Sequence, residues 1–241
     1  MNNAPSLDLP AVDPLEIAWA EAAALDGTLQ AQLEMFVAAS RRLEPEVNVA
    51  YERMIERVTR AGCGTTAPFV GEMLPDSLLC AADGRLVSLS AMAEESALVV
   101  SFNRGHWCPY CRLQLNALKK SASEFEAAGA RIVSIVPQTA EFSNQMIAMN
   151  DLPFPVLSDI DHAFALELGL AVWMGEEIES LYAAGGLDLA VFEGGRSGLL
   201  PIPATFVVER GGRVVARFVD VDFQKRMAMD AIRAALTGSK A

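Results

Sequence analysis

The sequence predicts an α/β fold: a central mixed sheet flanked by helices and preceded by an N-terminal helical extension. Three observations carry this. Apolar residues recur at helical spacing over the first sixty or so positions, and the pattern changes to alternating strands and helices beyond the linker Gly62-Cys63-Gly64-Thr65-Thr66. Two strongly apolar runs, Leu98 to Phe102 and Arg131 to Val136, read as buried strands on either side of a helical stripe. The first run leads into Cys108 and Cys111, placed at the carboxyl end of a central strand, where open α/β sheets put their sites. The expected organisation is an extension and linker over residues 1–64, then an α/β domain over 65–241 with an insertion at about 171–200.

In order, Leu15, Ala18, Ala22, Leu25, Leu29, Leu33 and Phe36 step by three and four along one helical face, with Asp26-Gly27 as a point where the helix can divide. Val47, Tyr51, Met54 and Val58 mark a further helix that stops at Ala61-Gly62. Such faces must be covered, either by the chain's own later domain or by a second copy in a homodimer. Leu78 to Cys80 and Arg85 to Leu89 flank the turn Ala82-Asp83-Gly84 as a β-hairpin. Leu115, Leu118, Ala122 and Phe125 put a stripe on the helix after the cysteines, and the strand–helix–strand unit it completes should be parallel and right-handed. Phe154 to Leu157 is a third strand, followed by a helix from about Asp161 to Leu168. Thr205 to Val208 and Arg213 to Phe218 form a terminal hairpin, and Phe223 to Leu236 the last helix. The insertion, with Trp173, Leu181, Tyr182, Leu187, Leu189 and Phe192, is expected to cap an exposed sheet edge in preference to acting as a substrate lid.

A chain of 241 residues that is 52% hydrophobic has material for one large domain, or one domain with an extension. The formal net charge of −12 argues against nucleic acid and against anionic membrane surfaces as partners, both of which require a cationic face. The segment Met1 to Asp8 lacks the features of a secretory signal and no apolar run is long enough to span a bilayer, so the expected location is cytoplasmic. Four cysteines are too few for a disulfide framework, and a reducing compartment would keep a working pair cycling.

Cys108 and Cys111 are spaced C-x-x-C at the head of a helix, which lets the two sulfurs approach to disulfide distance. Unpaired N–H groups and the positive end of the dipole favour the first as thiolate, so Cys108 is the expected nucleophile and Cys111 its resolving partner. Pro109 suits the first helical position. A zinc half-site is the rival, but no second C-x-x-C or H-x-x-x-H pair supplies the remaining ligands, and no metal or cofactor is expected. Arg104, His106 and Arg112 make the surroundings of the pair electropositive, and Trp107 stands beside it as a supporting residue; His106 is more often a hydrogen-bonded residue than a proton donor in such a place. Cys63 and Cys80 read as spectators, although either is available as a second resolving thiol.

The run Arg104-Gly105-His106-Trp107-Cys108-Pro109-Tyr110-Cys111, the segment Pro153 to Asp159 and the later Pro201-Ile202-Pro203-Ala204-Thr205-Phe206 together resemble the thioredoxin superfamily, and within it the peroxiredoxin-like proteins of the AhpC/TSA (alkyl hydroperoxide reductase/thiol-specific antioxidant) type. The similarity runs from about Thr65 to the C-terminus. It implies a thioredoxin-like fold, a cis bond before Pro203 facing the dithiol, and a substrate chain paired to the backbone of Ile202. Peroxiredoxins polarise peroxide with a Pro-x-x-x-Thr/Ser-x-x-Cys loop and an arginine from a distant strand. Here Ser101 and Gly105 stand at the Pro and Thr/Ser positions, and the strand begins Pro203-Ala204-Thr205. Cys-Pro-Tyr-Cys instead resembles the glutaredoxin motif, and Trp107 before it resembles thioredoxins.

The expected function is a dithiol–disulfide oxidoreductase on a peroxiredoxin-like scaffold, re-reduced by an external thiol system such as thioredoxin or glutathione. A hydroperoxide reductase is the competing enzyme, and a redox-sensing interaction protein the alternative from another class. The free Ile202 backbone and the absent peroxide-activating donors favour a disulfide over a hydroperoxide as substrate.

Overall fold

Alternation of apolar residues on the strands puts two layers of helices around one sheet. The computed structural model describes residues 13–195 and 198–238. Three helices open the described residues, α1 (Pro14–Ala24), α2 (Leu29–Leu43) and α3 (Pro45–Arg60). Asp26-Gly27 does divide the first apolar stretch, and Thr28 starts α2 by accepting a hydrogen bond from the Ala31 N–H. Next come β1 (Leu78–Ala81), β2 (Leu86–Ser88), α4 (Leu89–Glu95), β3 (Ala97–Phe102), α5 (Pro109–Ala127) and β4 (Ala130–Val136). They are followed by α6 (Ala140–Asn150), β5 (Val156–Ser158) and α7 (Ala163–Glu167). The insertion contributes β6 (Ala171–Trp173), α8 (Glu176–Ala184), α9 (Leu189–Glu193) and β7 (Leu199–Pro201), and the chain closes with β8 (Ala204–Val208), β9 (Val214–Val219) and α10 (Met229–Gly238).

Seven strands form the main sheet in the order β2-β1-β5-β4-β3-β8-β9. β3 pairs parallel with β4 and antiparallel with β8, so it is central and covered on both sides. Leu98, Val100 and Phe102 point to one face, packing with Phe164 and Phe206, while Val99 points to the other with Leu115, Leu118 and Ile232. This is the mixed, helix-flanked sheet of thioredoxin-like proteins. No helix among the described residues is long and apolar enough to cross a membrane.

A third apolar cluster joins the leading helices to the cysteines. Ala18, Ala22, Leu29, Leu33 and Phe36 are buried with Cys108, Tyr110, Leu113 and Phe223. The chain's own later residues therefore cover the predicted helical face.

The insertion adds no strand to the main sheet: β6 and β7 form a separate two-stranded sheet, and α8 packs against α3 through Tyr182 on Tyr51 and the Arg53–Glu177 ion pair. One expectation needs correction. The last helix begins at Met229, not at Phe223. Asp220 and Asp222 accept the backbone N–H groups of Asp222 and Gln224, which satisfies that backbone locally and holds residues 220–228 as a loop.

Candidate active site

The carboxyl end of β3 sets the geometry. Asn103 is fully buried, and its amide donates to Ser101 O, Ser101 Oγ and Ser134 Oγ at 3.0–3.1 Å, tying the turn to both central strands. Gly105 follows at φ +141°, where a Cβ would lie 2.5 Å from Trp107 Nε1. The position that holds a Thr or Ser hydroxyl in peroxiredoxins has no room for a side chain here, because the Trp107 indole fills it. Gly105→Thr is therefore expected to destabilise the fold by about 1–3 kcal/mol without restoring peroxide activation, as a lower Tm and an unchanged or reduced peroxide rate would show.

Cys108 is the N-cap residue of α5 and Pro109 occupies its first turn, as the sequence predicts. Both cysteines are free thiols in this structure. Cys108 lines a cavity of about 260 Å³ walled by Leu15, Phe36, Val47, Tyr51, Leu181 and Tyr182, from α1, α2, α3 and α8. Cys111, one turn further on, is completely buried and does not line it. The cavity rim carries Asp13, Glu16 and Glu44, the Glu44 carboxyl being raised by its burial and by neighbouring Asp13.

Two guanidinium groups reach the dithiol. Arg104 is buried against the Phe223 ring at 4.1 Å and the Trp107 ring at 5.1 Å, and it donates to Tyr182 Oη at 2.7 Å. Tyr182 Oη in turn lies 3.1 Å from Tyr51 Oη. Arg226 comes from the loop after β9, with Nη2 3.1 Å from Cys111 Sγ and Nη1 donating to the carbonyls of Phe223 and Lys225. Cys111 Sγ also accepts the Arg104 N–H at 3.4 Å. Neither arginine pairs with a carboxylate among the described residues.

The donors converge on the second sulfur. Burial raises the Cys111 thiol, but the hydrogen bond from Cys108, the charge of Arg226 and the Arg104 N–H outweigh it and hold Cys111 well below the ordinary thiol range. Cys108 moves the other way, raised by burial and by its hydrogen bond and proximity to Cys111, against the pull of Arg104 and Arg226. The expectation of a lowered Cys108 pKa is thus corrected: burial and Cys111 raise it, and the two thiols titrate as one pair with the donors gathered on the Cys111 side.

The other predicted residues divide. Trp107 and Arg104 lie beside the cavity. Arg112 is spent elsewhere, on Glu16 at 2.6 Å and over the Trp19 ring at 3.7 Å, a clasp that holds α1 against α5. His106 leans away from the cavity, stacked on Phe142 at 5.5 Å, with its backbone N–H donating to Gln138 Oε1 at 3.1 Å and its ring Nδ1 3.3 Å from the same oxygen; burial lowers its pKa. Ile202 and Pro203 do not line the cavity, and no described peptide bond is cis, so the expected cis bond before Pro203 is corrected. The Ile202 N–H already donates to Leu170 O at 2.7 Å, so that donor is not available to a substrate chain. Cys63 and Cys80 lie apart from the pair, Cys63 against the core on the other face of the sheet and Cys80 on β1. Arg226 escapes sequence reasoning, since an arginine among Phe223 and Met227 looks like the polar face of a helix. Tyr51 and Tyr182 enter it only as a helical-face residue and an insertion residue, with no signal for the site.

Residues 70–217 match the AhpC/TSA family. A putative peroxiredoxin Bcp of Haemophilus influenzae is 31% identical over 104 residues, which cover 43% of this chain and 65% of that protein. The chain thus spans just under two thirds of that relative's length. Among solved structures, peroxidoxin BcpB of Mycobacterium tuberculosis aligns with a TM-score of 0.54 at 20% identity, over 70% of this chain and 96% of the other. A peroxiredoxin-like protein of Aquifex aeolicus aligns at 0.57 with 13% identity, over 72% and 88%. These two likenesses carry the fold, and the match over 70–217, which takes in both cysteines and the strands that present them, places this chain in the AhpC/TSA family.

Proposed function

We propose that this protein is a thiol-dependent oxidoreductase in which Cys108 and Cys111 of the Cys-Pro-Tyr-Cys motif cycle between dithiol and disulfide, oxidised by a small hydroperoxide. The observation that carries the substrate choice is enclosure. Cys108 is 1% exposed at a cavity of about 260 Å³, bounded by three leading helices and α8, which admits a small molecule and excludes a folded protein's disulfide. The peroxiredoxin relatives support the same reading. So does Arg104, a buried cation beside the cavity that supplies, from the β3–α5 turn, the charge that peroxiredoxins bring from a strand.

The steps follow. The Cys108 proton passes to Cys111 as the Cys108 sulfur attacks the terminal peroxide oxygen. The O–O bond breaks, the alkoxide leaves and takes up the proton that had passed to Cys111, and Cys108 becomes a sulfenic acid. Cys111 then attacks Cys108 Sγ, hydroxide leaves, and the disulfide forms. Two external thiols of a thioredoxin or glutathione type restore the pair. In this reading the redox unit begins at about residue 65, and the leading helices α1, α2 and α3 supply walls of its substrate cavity.

Exchange with a small disulfide is the second reading, favoured by the C-x-x-C placement at the start of α5. Stopped-flow Trp fluorescence of the reduced protein against hydrogen peroxide, an aryl hydroperoxide, a small disulfide and a protein disulfide separates the two. The expected order places hydroperoxides first and the protein disulfide last by at least ~10²-fold, the size of effect that access and orientation command. A protein disulfide that reacts fastest would overturn the reading.

A further inference from the structure

We infer that Arg226 is a catalytic residue of the dithiol, holding the reduced pair's negative charge on Cys111 so that the reduced form is favoured and the Cys108–Cys111 disulfide is readily reduced. This rests on the dithiol reading above. It does not depend on which substrate oxidises the pair.

The geometry is specific. Arg226 is 4% exposed and its Nη2 lies 3.1 Å from Cys111 Sγ. Its Nη1 is committed to two carbonyls of its own loop, Phe223 and Lys225, so the guanidinium plane is fixed and Nη2 has one direction to point. The loop is itself anchored: Gln30 on α2 donates to the Arg226 carbonyl at 3.2 Å, and Phe223 is buried among the rings of Tyr51 and Tyr110. A buried guanidinium with no carboxylate partner among the described residues needs an anion, and the anion it meets is a sulfur that exists as thiolate only when the pair is reduced. Oxidation removes that anion. The groups facing the two sulfurs beyond Arg226 are Arg104 and the phenols of Tyr51, Tyr110 and Tyr182; Tyr51 is raised well above the usual phenol range by burial, then by Tyr182, and Tyr110 by burial, so neither competes for the role of anion.

The redox balance states the consequence. The disulfide takes two electrons and one proton and becomes a Cys108 thiol and a Cys111 thiolate, the species Arg226 stabilises. A disulfide whose reduced form is stabilised is the more oxidising one. Arg226 therefore pulls the equilibrium toward the dithiol and makes recycling by a modest thiol reductant favourable.

The test is the redox equilibrium of the whole chain in glutathione buffers near neutral pH, read by thiol alkylation, for the native protein, Arg226→Met and Arg226→Lys. Arg226→Met is expected to shift the equilibrium at least tenfold toward the disulfide, about 30 mV for a two-electron couple. Arg226→Lys, which keeps a charge without the fork, should fall between. The shift should narrow in mild acid, where the Cys111 thiolate is lost. A shift below twofold in a folded Arg226→Met protein, or one toward the dithiol, would overturn the inference. Should Arg226→Met not fold, single thiols decide: Cys111 in Cys108→Ser should titrate below Cys108 in Cys111→Ser, and the reverse order sinks the assignment. Failure to form a Cys108–Cys111 disulfide in any buffer would instead sink the dithiol reading itself.

Discussion

Cys108→Ser is expected to abolish turnover, by at least ~10³-fold, while Cys111→Ser reacts once with oxidant and stops. The two sulfurs offer competing credentials. Cys111 holds the donors, Arg226 Nη2 and the Arg104 N–H, and Cys108 holds the access, as the sulfur that lines the cavity. Access decides, because a thiolate with no path to substrate cannot attack, whereas a proton crosses between hydrogen-bonded sulfurs far faster than an O–O bond breaks. Intact-mass spectrometry of Cys111→Ser after oxidation should therefore find one sulfenic acid, or one mixed disulfide with added thiol, on Cys108. Sustained turnover in Cys108→Ser with a single reaction in Cys111→Ser would reverse the assignment.

Arg104→Met is expected to slow the oxidation step by ~10²-fold or more while leaving the protein folded. Methionine fills much of the arginine's volume between the Phe223 and Trp107 rings, so packing is largely retained and charge is lost. Two effects then add. The leaving oxygen loses a cation beside the cavity, and the thiol pair loses one of two positive neighbours, so its first ionisation moves up in pH. The sign for stability follows from the same pair. Cys111 is held below its unfolded value, so its contribution to the reduced protein is complete above that value and fades as pH falls through the folded one. Arg104→Met should move that fade to higher pH, and thermal denaturation of the reduced protein across pH would detect it. Unchanged oxidation rates at every pH would remove Arg104 from the site.

Much of this protein is legible in one dimension. The apolar runs over β3 and β4 name the buried strands, because a strand covered on both faces has nowhere to place polar residues. Cys108-Pro109-Tyr110-Cys111 places a dithiol at a helix start, since the chemistry needs only local spacing and an N-terminus, and Asp26-Gly27 divides α1 from α2 for an equally local reason. The tertiary structure decided what depends on residues far apart in sequence. Arg226, 115 residues from Cys111, brings a guanidinium to the second sulfur, whereas the helix start favours the first, and no local pattern announces that contact. His106 and Arg112, adjacent to the cysteines in sequence, are turned to Gln138 and to Glu16 and Trp19, where they act as scaffold. The insertion and the leading helices have no local signal for what they cover. Only their meeting, Tyr51 with Tyr182 above Arg104, encloses Cys108 and turns an accessible dithiol into one reached through a small cavity.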